Sequence, residues 1–273
     1  MTELSVADAI TKNFVTFPFY RDEKPLSSGV CWGMTVRSAG TMRFRWNETN
    51  EKRSAVLKSI CGEKQPVPLE LIHSKIVYDV LSSADTLGKT GDGMITRNTS
   101  LVPVVTVADC MPLFLYDEKT GVFGVCHSGW KGTGIISEAI LLAGKKYGAK
   151  AENLCVAIGP HIRSCCYAVD EARAEYFAVN FTPECVSRVR DADGNIKFML
   201  SLEKANLSAL EKCGVRSENI VVAKDCTCCT KDIRKDFPFG SFRREAAFAQ
   251  GNYSGEERAR LMTVQAAFCG WLG

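Results

Sequence analysis

Between Leu101 and Ile158 the chain passes through four short apolar stretches rich in branched residues, each closed by turn formers: Leu101 to Val107, Met111 to Tyr116, Val122 to Cys126 and Leu154 to Ile158. Runs of this length and composition read as strands, and Ile220 to Ala223 has the same character. Helical spacing fills the intervals at Glu51 to Cys61, Ile135 to Tyr147, Asp170 to Asn180 and Leu202 to Cys213. In the second helix Ile135, Ile136, Ala139, Ile140 and Ala143 share one side, with Gly144 and Gly148 near the end. In the fourth, Ser201 is the expected N-cap and Gly214 lies just past the close. Strands interleaved with helices, several of them close enough for hairpins, predict an α/β (α+β) fold. Mixed β-sheets flanked by helices are expected rather than one doubly wound parallel sheet. No repeat, low-complexity tract or Pro/Ser linker interrupts residues 1–273, so one compact domain is expected. Its 46% hydrophobic content suffices for a substantial core.

The formal net charge of +3 provides no long-range field of the kind that gathers nucleic acid or an anionic membrane surface. No run approaches the ~20 apolar residues of a membrane span, and MTELSVADAITKNF lacks the apolar core of an export signal. The expected location is cytoplasmic, with no nucleic acid and no membrane as partner. Thirteen cysteines, an odd number in a long chain, are expected as reduced thiols, buried or bound to metal.

The chain has only three histidines. One of them, His127, closes an apolar run, and Cys110 stands just before another. The intervening Asp117 to Gly121 reads as a hairpin turn, and folding it back brings Cys110 and His127 to one edge of a sheet. His73 ends a further apolar stretch, LELIH, whereas His161 follows Gly159 and Pro160 in a loop and is the weaker third partner. One Cys and two His suit Zn²⁺ with a fourth position open for water or substrate. The alternative is that Cys110 is a small buried hydrophobe and the histidines are hydrogen-bonded residues of the core.

Directly after His127, HSGWKGTG runs from a strand into a helix. Its backbone N–H groups, with Lys131, offer an anion site of the size of a phosphate, yet a tight connection that needs glycine for its backbone explains the same residues. It has neither the Walker nor the dinucleotide spacing. Arg243 and Arg244 in SFRRE form a cationic pair that binds phosphate or lies in water. In DCTCCT, Asp225 to Thr230, three cysteines crowd together without completing a four-sulfur zinc pattern in sequence, although Cys165 and Cys166 are available to help in space.

Together, GDGMITR, VADCMPLFLYD, GVCHSGWKGTG, AIGPHIRSCCYAV, LSLEKANLSALEKCGV and DCT followed by SFRRE resemble the laccase-domain family. These are bacterial purine nucleoside phosphorylases formerly called multicopper polyphenol oxidoreductases, with relatives described as peptidoglycan editing factors. The resemblance spans roughly residues 50 to 273 in order, and its segments are far more specific jointly than singly. It implies a compact α/β sandwich of mixed sheets and Zn²⁺ bound by His73, Cys110 and His127. It also implies phosphorolysis of adenosine, inosine and methylthioadenosine, with adenosine deamination at the same site. The family's usual Gln-Val-His-Gly is replaced here by Leu71, Ile72, His73 and Ser74, and its N-terminal GGVS segment is not recognisable in FYRDEKPLSSGVCWGM.

The expected partners are therefore a purine nucleoside and phosphate. Lys131 and Arg243 are the phosphate candidates, and Asp109, adjacent to a metal ligand, is the candidate proton carrier or supporting carboxylate. Two rival classes use the same residues. A copper (Cu²⁺) polyphenol oxidase would need imidazoles in number, and three histidines without a His-x-His pair argue against it. A cysteine hydrolase would use Cys110 with His127 as base, with a cell-wall precursor as a conceivable substrate.

Overall fold

The computed structural model describes residues 1–272. Met111–Asp117 and Val122–Ser128 form an antiparallel hairpin at the centre of a seven-stranded mixed sheet. Its turn forms because Asp117 is buried and bonded on every side: Lys119 N–H and the Thr120 hydroxyl donate to its carboxylate at 3.1 and 2.9 Å, and Gly121 N–H donates to its carbonyl at 2.8 Å. Gly121 takes φ 73°, a left-handed conformation that costs glycine little. Around this hairpin the strand order is Thr2–Leu4, Ile220–Ala223, Cys155–Ile158, Met111–Asp117, Val122–Ser128, Gly93–Thr96 and Val77–Asp79. The first three of these strands run parallel to one another, as do the last two, and the successive pairings from Cys155–Ile158 to Gly93–Thr96 are antiparallel.

A second, five-stranded sheet, Phe14–Pro18, Val30–Thr35, Gln265–Trp271, Leu101–Val107 and Gln65–Pro68, lies against the first. Side chains alternate across a strand. Phe114, Tyr116, Phe123 and Val125 therefore meet Trp32, Met34, Val105 and Val107 between the sheets. Leu113, Leu115 and Cys126 point the other way, onto the apolar faces of helices Ile135–Tyr147 and Leu202–Lys212. On the far side of the second sheet, Val102, Val104 and Phe268 are covered by Leu57 and Ile60 of helix Glu51–Cys61. The result is four layers, helix, sheet, sheet and helix. A central strand buried on both faces accounts for the unbroken apolar runs in the sequence.

The strands and helices read from the sequence all form, with small shifts at their ends. The hairpin strands extend through Asp117 and Ser128, placing His127 inside a strand, and Leu154 precedes its strand. Asp170 is an N-cap rather than the first helical residue, its side chain accepting from Arg173 N–H at 2.8 Å. Cys213 is a C-cap, and Ser201 caps its helix as expected, accepting from Lys204 N–H at 3.2 Å. No described helix is long and apolar enough to cross a membrane.

Phe114 joins the two sheets, with its ring 5.2 Å from that of Trp32. Phe114→Ala is expected to lower the free energy of unfolding by about 3–5 kcal/mol, measured by denaturant titration, because the fixed sheets cannot close on the space left behind. A loss below about 1 kcal/mol would contradict this layer arrangement.

Candidate metal centre

The hairpin register sets the first two residues of the site. Met111 pairs with Ser128 and Pro112 with His127, so Cys110, one residue before the strand, faces the end of the partner strand. His73 arrives from a separate loop and takes φ 60°, while Asp109 takes φ 78°; both are non-glycine residues in the left-handed region, a conformation kept only where surrounding contacts enforce it. The ligand atoms of His73, Cys110 and His127 all lie within 4.8 Å of one another. The imidazoles of His73 and His127 meet edge to face, with ring centroids 4.8 Å apart. His127 is buried, Cys110 half-buried and His73 exposed, so the group opens outward on one side. His73, Cys110 and His127 line a cleft of 160 Å³ together with Arg43, Phe44, Arg45, Leu71 and Met262.

One buried carboxylate organises these groups. Asp92 accepts from His127 Nδ1 at 2.9 Å, from the backbone N–H groups of His73 and Ser74 at 2.9 and 2.5 Å, and from the Ser74 hydroxyl at 2.7 Å. Its carbonyl also accepts from His127 N–H at 2.7 Å. Burial would raise the Asp92 carboxyl, but the His127 imidazole and the Ser74 donors outweigh it and hold its pKa below the usual value. With Nδ1 engaged, Nε2 of His127 is the nitrogen free to face Cys110 and His73. Ser74, a departure from the glycine expected there, supplies two of the Asp92 bonds.

Burial also pushes the Cys110 thiol up, yet His127 and then His73 draw it down to about 6. Burial works against a charged His127, but the Cys110 thiolate and the Asp92 carboxylate carry it up to about 9. Thiolate, imidazole and carboxylate thus stand in a charge-compensated row. Gly129 forms the floor: a Cβ there would come within 2.9 Å of His73 and 3.0 Å of the Cys110 sulfur. Gly132 is pressed against the Ser74 carbonyl, where a Cβ would lie 2.7 Å away, and Gly134 has φ 88°. The glycine-rich connection therefore meets the close-backbone requirement, with Gly134 N–H donating to the Asn206 side chain at 3.2 Å.

Asp109 is buried beside Cys110, but its carboxylate accepts from the Thr227 hydroxyl and from Arg243 N–H, each at 2.6 Å. Burial raises its pKa in spite of those bonds. Lys131 is exposed, 5.3 Å above the Trp130 ring, which Arg173 covers at 4.3 Å. Arg173 is a charged neighbour of the Tyr167 hydroxyl, and Arg243 lies 5.6 Å above the Tyr167 ring. Trp130 thus carries Lys131 and Arg173, and Tyr167 carries Arg243, which form a row of cations on aromatic rings from residues 112 positions apart in sequence. Arg244 is engaged elsewhere, donating to the carbonyls of Thr227, Cys228 and Phe239. Sequence reasoning missed Asp92, Tyr167 and Thr227. Asp92 stands between two glycines at a strand entrance, which marks a tight backbone there but not a carboxylate that will be buried.

His161 is kept apart from the three-residue group, as its loop position suggested. It is fully buried, its Nδ1 lies 2.9 Å from the Gly159 carbonyl, and its Nε2 has no partner.

The family model for multi-copper polyphenol oxidoreductase laccase matches residues 45–254. A purine nucleoside phosphorylase of Clostridium acetobutylicum is 31% identical over 191 residues, 68% of this chain and 74% of that protein. Adenosine deaminase RL5, from an unknown prokaryotic organism, is 33% identical over 140 residues, 50% of this chain and 53% of its own length. Among solved structures, YlmD from Geobacillus stearothermophilus superposes with a TM-score of 0.71 at 23% identity, covering 89% of this chain and 92% of that one. That likeness bears on the fold alone.

Burial pushes the pKa of His161 down to about 4, below its value of about 6.5 in an unfolded chain. Between those values the unfolded state binds the extra proton, so the contribution of neutral His161 is complete above about pH 6.5 and is lost as pH falls toward 4. His161→Gln removes that titration. The stability gap between the native chain and the variant is expected to narrow by roughly 1–2 kcal/mol from pH 7 to pH 5. Unfolding curves with a constant gap would show that the imidazole is not held neutral.

Proposed function

This chain belongs to the family of the multi-copper polyphenol oxidoreductase laccase model, and we propose that it is a zinc-dependent purine nucleoside enzyme, catalysing phosphorolysis of adenosine, inosine and methylthioadenosine and deamination of adenosine. The observation that carries this reading is the convergence of His73, Cys110 and His127 within 4.8 Å. Two imidazoles and one thiolate, with a carboxylate behind one imidazole, form the donor set that Zn²⁺ favours in sites with an open position. The two nearest charge partners of Cys110 are the two imidazoles, which fits a shared cation better than a lone thiol. Copper in number fits poorly: of three histidines in the chain, one is buried away from the site with its own backbone partner.

Zinc held here supplies a Lewis acid with a free position for water or substrate. The chain's residues do the rest. Asp92 fixes the ring orientation and tautomer of His127 through Nδ1, and it fixes the His73 loop through two N–H bonds. The two imidazoles draw the Cys110 thiol down toward the thiolate that binds a cation. Asp109, saturated by Thr227 and Arg243, acts as a supporting carboxylate that positions Cys110 and the Arg243 backbone. We place phosphate on the cationic line ending in Lys131 and Arg243. Among the described residues neither makes an ion pair, whereas Arg43, Arg45 and Arg244 are paired with Glu48, Glu70 and Glu245. Phosphorolysis exchanges the bond from sugar carbon to base nitrogen for one to phosphate oxygen, so it needs an anion held beside the sugar. Deamination needs water in its place.

A second reading rests on one specific feature: Cys110, His127 and Asp92 stand in the order of a thiol nucleophile, its base and the group that orients the base. A cysteine hydrolase would survive chelation and lose activity on alkylation, whereas the zinc enzyme loses activity on chelation and regains it with Zn²⁺.

Zinc-loaded protein incubated with adenosine is expected to give adenine and ribose 1-phosphate when phosphate is present, and inosine in either case. His127→Ala is expected to abolish both reactions. Failure of the zinc-loaded chain to form any of them, with phenol oxidation by the copper-loaded chain, would overturn the proposal.

Asp92→Asn keeps the shape but weakens the support of His127, and it is expected to lower zinc affinity at this centre about 10–100-fold in a competition titration with a chromophoric chelator. Unchanged affinity would remove Asp92 from this role.

A further inference from the structure

A second group of ligand-type side chains lies outside the centre described above. Cys165 and Cys166 occupy a turn before the short strand Ala168–Val169, and Cys226 and Cys229 lie on the loop that follows strand Ile220–Ala223. The four sulfur atoms lie within 4.8 Å of one another. We infer that Cys165, Cys166, Cys226 and Cys229 form a second, closed metal site that takes one Zn²⁺ through four thiolates.

Geometry favours a shared cation over a covalent link. Tetrahedral zinc with bonds of about 2.3 Å sets its sulfurs about 3.8 Å apart. The Cys165 and Cys229 sulfurs are 3.7 Å apart, well beyond the roughly 2.05 Å of a disulfide. Cys226 and Cys229 have the C-x₂-C spacing of one half of a structural zinc site, and the adjacent pair Cys165 and Cys166 completes the set from the other segment. No such completion is visible in sequence, because 59 residues separate Cys166 from Cys226 in chain order.

Backbone bonds prearrange both halves without help from the sulfurs. Cys166 and Tyr167 N–H groups donate to the Arg163 carbonyl at 2.9 and 3.1 Å. On the other loop, Cys226 N–H donates to the Thr230 hydroxyl at 2.8 Å, and Thr230 N–H returns to the Cys226 carbonyl at 3.0 Å. The halves are joined by Thr227 N–H on the His161 carbonyl at 3.0 Å and by Arg163 N–H on the Cys226 sulfur at 3.4 Å. An N–H group aimed at a sulfur stabilises thiolate. Cys165 and Cys229 are exposed, which leaves an entry path for the ion, while Cys226 is buried.

The consequence is a fastening close to the first centre. Thr227 sits between the two paired cysteines of the loop, and its hydroxyl holds Asp109, the neighbour of Cys110. Four protein ligands leave no position for substrate, so the role is to hold the loop, and Zn²⁺ is bound for stability rather than chemistry.

The test uses the full chain with Cys110→Ser, which blanks the first centre, so failure here is separable from failure of the proposed activity. Reduced, metal-free protein titrated with Co²⁺ alone is expected to bind one ion per chain and to develop the intense visible bands of tetrahedral cobalt thiolate. Adding Cys229→Ser removes the tetrathiolate spectrum. In parallel, alkylation of the unmutated chain with and without Zn²⁺, read by peptide mass, is expected to show Cys165, Cys166, Cys226 and Cys229 protected together. Absence of cobalt binding by the Cys110→Ser chain, equal labelling of the four thiols with and without zinc, or a Cys165 to Cys229 disulfide in protein prepared under reducing conditions would each overturn the inference.

Discussion

A single carboxylate, that of Asp92, ties the centre together. It is fully buried, an arrangement that is unfavourable for a charged group unless its acceptor sites are filled. Here they are filled by His127 Nδ1, by the backbone N–H groups of His73 and Ser74 and by the Ser74 hydroxyl. Those bonds connect a strand of the central hairpin to a loop that has no ladder of its own. The loop is tied further by the isolated bridge between Glu70 and Thr90, by Arg45 donating to the Leu71 carbonyl at 3.3 Å and by the Asp92 and Gly93 N–H groups donating to the Ile76 carbonyl at 3.0 and 3.1 Å. Without this anchor nothing in the sheet would hold His73 in its left-handed conformation within reach of Cys110. Removing one partner would leave an uncompensated buried charge, so the bonds act as a set rather than separately.

Much of this arrangement is legible in the sequence, and the reason is periodicity joined to turn chemistry. The hairpin from Met111 to Ser128 announces itself through two apolar runs and a polar turn ending in glycine, and its register alone carries Cys110 to His127. The outer sheet is harder to read. Val30–Thr35 and Gln265–Trp271 contain Gly33 and Gly270 with alanine and cysteine between larger residues, so no clean alternation shows. Gly33 is there because Phe268 and the Val15 carbonyl leave no room for a side chain. Asp92 is hidden for another reason. Nothing local distinguishes a carboxylate that will be buried from one that will cap a turn, and its partners come from positions 18 to 35 residues away.

The glycine-rich turn shows how a motif with two readings resolves. Gly129 and Gly132 are fixed by close approach to His73, Cys110 and Ser74, and Gly134 by its backbone conformation. Each glycine is thus accounted for without an anion. The cationic rim is nevertheless assembled nearby, through rings that stack with guanidinium groups rather than through backbone N–H groups. Composition gave no view of this, because Trp130, Tyr167, Arg173 and Arg243 are brought together only by the folding of four separate segments.

The two cysteine-containing groups make opposite demands on the same stretch of chain. The first centre needs an exposed face and a strained approach, since Asp109 at φ 78° precedes Cys110 directly. Conformations of this kind cost of order 1–3 kcal/mol and persist only when neighbouring contacts over-determine them. Those contacts are the Thr227 hydroxyl, Arg243 N–H and the Ile162 N–H that donates to the Asp109 carbonyl at 2.9 Å. Two of the three come from the segments that carry the four-cysteine group, Ile162 just ahead of Cys165 and Thr227 beside Cys226. A rigid fastening at their outer side therefore stabilises the strained residue at their inner side, which allows the reactive face to stay open without its geometry relaxing.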